Sequence, residues 1–174
     1  MEELLSIRGL AVDHATIQRW VFKFTPVVEA GLKKRRKPVG NSWRMDETYI
    51  KVKGEWLYFY RAVDKEGKTV DFLLTRRRNK LAAHKFLIKA IANNGCPNMI
   101  NIDKSGANRE AIRTYNKRRL KRKRIRQCKY LNNRIEGDHR FIKWRIEGML
   151  GFKSFESASR TLRGIEIVRM IKKE

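Results

Sequence analysis

Between Trp43 and Thr75 the chain carries three runs with the composition of β-strands, placed so close together that they must pair with one another. Trp43 to Val52 is the first. Trp56 to Val63 is the second and is heavily aromatic, with Trp56, Tyr58, Phe59 and Tyr60. Thr69 to Thr75 is the third. Lys53-Gly54-Glu55 and the segment Asp64 to Lys68 have the composition of hairpin turns. Two hairpins in succession make a three-stranded antiparallel meander, and the rest of the fold has to grow from it.

After the meander the pattern changes from strands to an alternation of helices and strands. Asn79 to Asn93 reads as a helix with Leu81, Ala82, Phe86, Leu87, Ala90 and Ile91 as its apolar stripe, closed at Asn94-Gly95 by a left-handed cap. Met99 to Asp103 is a fourth strand ending in an acid. Ala107 to Asn116 is a short helix, and Ile125 to Cys128 a fifth, short strand. A helix then starts at Asn132 or Asn133, either of which suits an N-cap, with Glu136 in its first turn. On that helix Glu136, His139, Arg140 and Lys143 follow i, i+3, i+4, i+7 spacing and are expected on one face, with Ile135, Phe141 and Ile142 turned inward. A last helix, Glu156 to Lys172, is expected to bury Ala158, Leu162, Ile165, Val168 and Ile171. The order βββ-α-β-α-β-α-α predicts an α/β fold: an RNase H-like mixed five-stranded sheet flanked by helices.

The N-terminal part reads differently. Glu2 to Arg8 and His14 to Phe24 are helical in pattern, separated by Gly9, and Asp13 suits the N-cap of the second. Ile17, Trp20, Val21 and Phe24 lie on one side of that second helix. Helix, glycine turn, helix is the layout of a helix-turn-helix, and there His14, Thr16, Gln18 and Arg19 would be presented to DNA. An ordinary helical hairpin fits the same pattern. Residues 1–32 are therefore read as a small, partial helix-turn-helix. Residues 33–42 are read as a basic linker, with Pro38 and Gly40 against regular structure. Residues 43–174 form the RNase H-like domain.

Charge narrows the partner. The 174 residues contain 42 Lys and Arg against 18 Asp and Glu, a net charge of +24. Lys117 to Arg126 alone holds eight basic residues in ten positions. Such an excess calls for a polyanion, and nucleic acid is the expected one. A membrane partner is not expected, because no long apolar run or basic amphipathic anchor stands out. Met1-Glu-Glu-Leu-Leu lacks the pattern of a signal peptide. Cys96 and Cys128 fit no zinc spacing and read as buried thiols of a reducing, cytoplasmic and nucleoid-associated setting.

Three acids could carry chemistry on this fold. Asp46 lies within the first strand, Asp103 at the end of the fourth, and Glu136 on the later helix; 56 residues separate the first pair and 32 the second. The first and fourth strands are expected to be neighbours, so the two aspartates can face each other with Glu136 closing the triangle. Three carboxylates in one place repel and need cations. An all-oxygen ligand set suits two Mg²⁺ ions, with Asp46 bridging and Asp103 and Glu136 each holding one, for in-line phosphoryl displacement. Lys104, His139, Arg140 and Lys143 would bind DNA phosphates around this centre. Glu47 should point to the opposite sheet face. Asp64 and Asp71 are expected in solvent, and Asp138 on another face of its helix.

The segments Trp43–Gly54, Tyr60–Asp64, Asp103–Asn108, Arg126–Gln127 with Lys129–Asn133, Ile135–Glu136 with Asp138–Arg140, and Leu150–Phe155 resemble the DDE transposases of insertion-sequence family six, in order and across nearly the whole chain. Val12–His14 through Trp20–Val21 resembles the helix-turn-helix of the same family. The resemblance implies a retroviral-integrase-type catalytic domain in which Asp46, Asp103 and Glu136 occupy the three acidic positions. It implies Mg²⁺-dependent (Mn²⁺ as substitute) nicking at element ends followed by strand transfer, on double-stranded DNA of both element ends and target. It also implies a homodimer or larger assembly in a bacterial or archaeal cell. Members begin several tens of residues earlier and have about two more residues between the second acid and the third, so a shortened copy is expected. Arg76-Arg77-Arg78-Asn79, Gly137 and Trp144 also depart from the family's usual residues.

Three functions are compatible with these features. An active transposase requires the triad and a metal. A catalytically inactive remnant that only binds DNA requires only the charge. A basic RNA-binding protein of ribosomal type would explain the charge but not the spacing of three acids on strand, strand end and helix. Phosphate binding should weaken with salt in every case, whereas metal-dependent nicking belongs to the first alone.

Overall fold

The computed structural model describes residues 2–35, 37–103, 106–117, 124–128, 130–149 and 151–173. Its centre is a sheet built from β1 (Ser42–Val52), β2 (Glu55–Asp64), β3 (Thr69–Thr75), β4 (Met99–Ile102) and β5 (Arg124–Gln127) in the spatial order β3-β2-β1-β4-β5. β1, β2 and β3 form the expected antiparallel meander, and β4 and β5 extend it in parallel. The tight turn between β1 and β2 has positive φ at both Lys53 and Gly54, as a two-residue hairpin of the right twist requires.

α3 (Lys80–Asn94) and α4 (Gly106–Lys117) cover one face and α5 (Asn133–Glu147) and α6 (Phe155–Lys173) the other, while α1 (Glu2–Ser6) and α2 (His14–Arg35) precede the sheet and α2 packs on α6. The alternation of side chains along β1 sorts them. Trp43 and Met45 join Tyr60, Ala62, Ile100 and Ile102 under α3 and α4, with Phe86, Leu87 and Ile112. Ile50 and Val52 face the other way, with Leu57, Phe59 and Leu74, and pack on Ile142 of α5 and Ala158 and Leu162 of α6. Each fully buried side chain of this size contributes about 1.5–3 kcal/mol relative to exposure.

Several expectations are corrected. α2 runs through Pro26 to Arg35, well past Phe24, so the first three residues of the supposed linker are helical. Its outer half is held by α6, where Arg163 pairs with Glu29 at 3.4 Å and the Arg160 guanidinium lies 5.2 Å from the Phe22 ring. Trp20, Val21 and Phe24 remain exposed. On α3 Leu81 is exposed and Ala83 takes its inward place, and on α6 Val168 and Ile171 are exposed while Glu166 and Ile167 are buried. On α3 the apolar stripe is Ala83, Phe86, Leu87 and Ala90, whereas on α6 the buried Glu166 pairs with Arg61 of β2. Gly95 closes α3 by donating its N–H to Ile91, with φ 77° but an extended ψ of −178°, so it is not a left-handed α cap. Cys96 is exposed and Cys128 half-buried.

Asp64 and Asp71 are buried, not solvated. The Asp64 carboxylate accepts from the backbone N–H groups of Gly40 (2.9 Å) and Lys68 (2.8 Å), tying the β2–β3 turn to the segment before β1. Asp71 accepts from Lys89 and Asn93 of α3 at 2.6 and 2.8 Å. Among the described residues no helix is long and apolar enough to cross a membrane.

Candidate active site

β1 and β4 run parallel, and their last paired residues are Met45 and Ile102. Asp46 and Asp103 are the next residue on each, so the backbone brings them side by side where β4 ends. The Asp46 side chain is 16% exposed and faces α5, where Oδ2 lies 3.5 Å from His139 Nε2. Glu136 is one helical turn before His139 and exposed. Arg140 and Lys143 are exposed as well. His139 departs from the expectation that it shares their outward face: it is 6% exposed and turned to the sheet, because α5 is rotated by the burial of Ile135 and Ile142 on either side of it.

Polar contacts fix where α5 starts. Arg44 Nε donates to the Leu131 carbonyl at 2.9 Å, and Asn101 Nδ2 donates to Asn132 Oδ1 at 2.5 Å. Asn132 therefore occupies the cap position without capping; its side chain is spent on β4. Further along, Arg61 of β2 is fully buried and donates to Glu166 of α6 (2.5 Å) and to Asp138 of α5 (3.2 Å). Asp138 also accepts from Arg169 and Lys173 of α6. Burial pushes the Asp138 carboxyl up, but Arg61 and Lys173 outweigh it and hold the group below the ordinary carboxylate value. This ion cluster clamps α5 and α6 to the sheet. Sequence alone gave no signal for it beyond the presence of Arg61, Asp138 and Glu166, which are 77 and 105 residues apart along the chain.

On the opposite face Glu47 is buried, as its alternation with Asp46 predicts. It accepts from Arg78 Nε at 2.6 Å and Asn108 Nδ2 at 2.8 Å. Burial raises its carboxyl above the usual range, with Asp46 adding to the shift. Burial also works against the Arg78 charge, but Glu47, Tyr49 and Asp103 together raise it. Asp103 is thus within electrostatic reach of Arg78.

A DDE-domain family model matches residues 40–174. The transposase of the insertion sequence-like element IS431mec from Staphylococcus aureus is 39% identical over 176 residues, covering all of this chain and 77% of that protein. The chain belongs to the DDE transposases of insertion-sequence family six. The fold agrees. The catalytic core of BIV integrase superposes with a TM-score of 0.52 at 13% identity, over 72% of this chain and 82% of that one. The catalytic domain of Mos1 mariner transposase does so with 0.50 at 14% identity, over 93% and 91%.

For a transposase, the donor chemistry of three carboxylates fits hard divalent cations, which prefer oxygen ligands. Among the described residues, however, no three acidic, imidazole or thiol side chains are gathered about one point. Asp46 and Asp103 adjoin, and Glu136 stands apart, facing solvent. Around them the Arg44 Nη1, Asn101 Oδ1, Asn132 Nδ2 and both His139 ring nitrogens are buried with no hydrogen-bond partner among the described residues. At the N-terminal segment, His14, Gln18 and Arg19 are exposed and Thr16 half-buried, with the Thr16 N–H donating to Asp13 Oδ1 at 2.8 Å. Lys104 lies outside the described residues.

Proposed function

We propose that this transposase nicks double-stranded DNA at insertion-sequence ends and transfers the freed strands to target DNA, with Asp46, Asp103 and Glu136 as its catalytic carboxylates. The observation that supports this most is the Asp46–His139 contact. It packs α5, the helix that carries Glu136 one turn earlier, against the end of β1 that holds Asp46. Asp46 sits in a central strand and cannot wander. Asp103 is held at a strand end, and Glu136 is carried on a helix clamped at Asp138.

The three carboxylates are the groups that would hold two divalent ions, Mg²⁺ or Mn²⁺ in its place. When bound, such ions supply charge stabilisation at the phosphate and a stronger attacking hydroxyl at neutral pH. The chain's own task is to bind and orient DNA. Arg140 and Lys143, exposed on α5 at four and seven residues beyond Glu136, are placed to hold phosphates beside the acids. Lys104 is assigned the same role from its position next to Asp103. Residues 1–32, through His14, Thr16, Gln18 and Arg19, would contact DNA away from the centre, with 33–42 joining them to the catalytic domain 43–174. A homodimer or larger assembly on paired ends completes the proposal.

The test is nicking and strand transfer on a duplex carrying candidate element ends, with Mg²⁺ or Mn²⁺, for the wild type and for Asp46→Asn, Asp103→Asn and Glu136→Gln. Metal-dependent cleavage lost in all three variants is expected. Cleavage retained by any one removes that residue from the triad. Salt-sensitive binding with no cleavage by the wild type would favour a protein that holds DNA without cutting it.

A further inference from the structure

Among the described residues β4 pairs with β1 only as far as Met45, and the next pairing on that side is the Val52–Phe152 bridge. Beside this stretch of β1 lies a groove of about 790 Å³ lined by Tyr49, Lys51, Trp56, Tyr58, Lys143 and Glu147 among others. Its aromatic members form one cluster. The Tyr49 ring meets Trp56 edge-on at 6.3 Å between centroids and Tyr58 at 5.5 Å. Lys51 Nζ lies 5.7 Å from the centre of the Trp56 ring. Burial of this cluster is incomplete: Tyr49 is 43% and Trp56 57% exposed. Large aromatic rings left in water side by side mark a surface that something covers.

We infer that this groove is a subsite for unpaired nucleotides of the DNA substrate, taking a base against Trp56 and Tyr49 and its phosphates between Lys51 and Lys143. Rings supply stacking for any base, and the two lysines supply the counter-charge that a nucleic-acid strand needs. Glu147 is the one acid in the lining, and it favours the base edge over a phosphate at its end of the groove. Position fits as well. Tyr49 is three strand residues from Asp46, about 10 Å along β1, and lies on the face of Glu47, so a strand leaving the acids reaches it around the side of β1. Lys143 is seven helix residues from Glu136, again about 10 Å. Both distances equal about three base steps of a DNA strand. A strand separated from its complement at the acids would therefore reach the groove within a few nucleotides.

The inference rests on the proposed DNA-cutting role but is tested apart from it. Binding of a fluorescent oligo(dT) and of a blunt duplex of equal length is measured by anisotropy without metal, for wild type, Trp56→Ala, Tyr49→Ala, Lys51→Gln and Trp56→Phe. Trp56→Ala should weaken oligo(dT) binding roughly ten- to a hundred-fold, with duplex binding changed less than three-fold and Trp56→Phe largely restored. Equal losses on both DNAs, or none on oligo(dT), overturn it. So does sedimentation showing that Trp56→Ala splits a dimer, which would assign the groove to a second copy of the chain. Loss of the triad function would leave these binding data unchanged, so the two failures are separable.

Discussion

His139 Nε2 lies 3.5 Å from Asp46 Oδ2, inside the contact between α5 and β1. The imidazole is nearly buried and lies between the first proposed carboxylate and the helix that carries the third. His139→Gln, which keeps a polar side chain there, should slow metal-dependent nicking roughly 10- to 100-fold, the usual cost of losing a group that orients a ligand. Binding to duplex should stay within a factor of two. Single-turnover nicking with a parallel binding titration distinguishes the two; an unchanged rate would deny His139 any positioning role.

Arg61 is buried between Glu166 and Asp138, so removing it takes the cation from buried Glu166 and leaves Asp138 to Arg169 and Lys173. Arg61→Ala should cost about 3–5 kcal/mol in urea unfolding. A loss below 1 kcal/mol would show that the cluster is not what clamps α5 and α6.

The same cluster sets a pH dependence. Asp138 has its folded value held below its ordinary 3.8. Its contribution to stability is therefore present above pH 3.8 and disappears as pH falls through the lower, folded value. Asp138→Asn should be less stable than wild type near neutrality and show a flatter loss of stability below pH 4. Parallel acid limbs in thermal unfolding would contradict this.

Arg140 and Lys143 are exposed on the side of α5 that carries Glu136. Arg140→Gln and Lys143→Gln should each lower the slope of log affinity against log salt by about one on duplex DNA. Unaltered slopes would take DNA phosphates away from that face.

Asp64 accepts two backbone N–H groups from segments it joins. Asp64→Ala leaves them unpaired and should destabilise the protein by about 1–3 kcal/mol, read in urea unfolding. Asp64→Asn, which keeps an acceptor, should recover part of that loss.

The sheet was legible before any coordinates because strand signals are local. β3 falls on the expected residues, and β1, β2, β4 and β5 differ by one at their ends. Turn glycines and the period-two pattern suffice for a meander whose strands are neighbours in sequence. The adjacency of Asp46 and Asp103 was also legible, since it needs only the order of strands and the point at which the fourth one ends. Family membership was legible for the same reason: its motifs are runs of consecutive residues.

Helix rotation and polar burial were not legible, and both depend on partners distant in sequence. Val168 and Ile171 have apolar spacing yet face solvent, because α6 turns Glu166 toward Arg61. His139 has the spacing of Glu136, Arg140 and Lys143 yet faces inward, because Ile135 and Ile142 draw that side of α5 to the sheet. Asp64 and Asp71 look like turn and edge residues, but waiting N–H groups and a lysine make burial cheaper than solvation. Sequence by itself thus determined the strands and their order, because those follow from local backbone preference and chain connectivity. Only the tertiary structure decided which polar side chains turn inward, because a charge enters a protein interior only where a counter-charge or hydrogen-bond donors are brought to it from elsewhere in the chain.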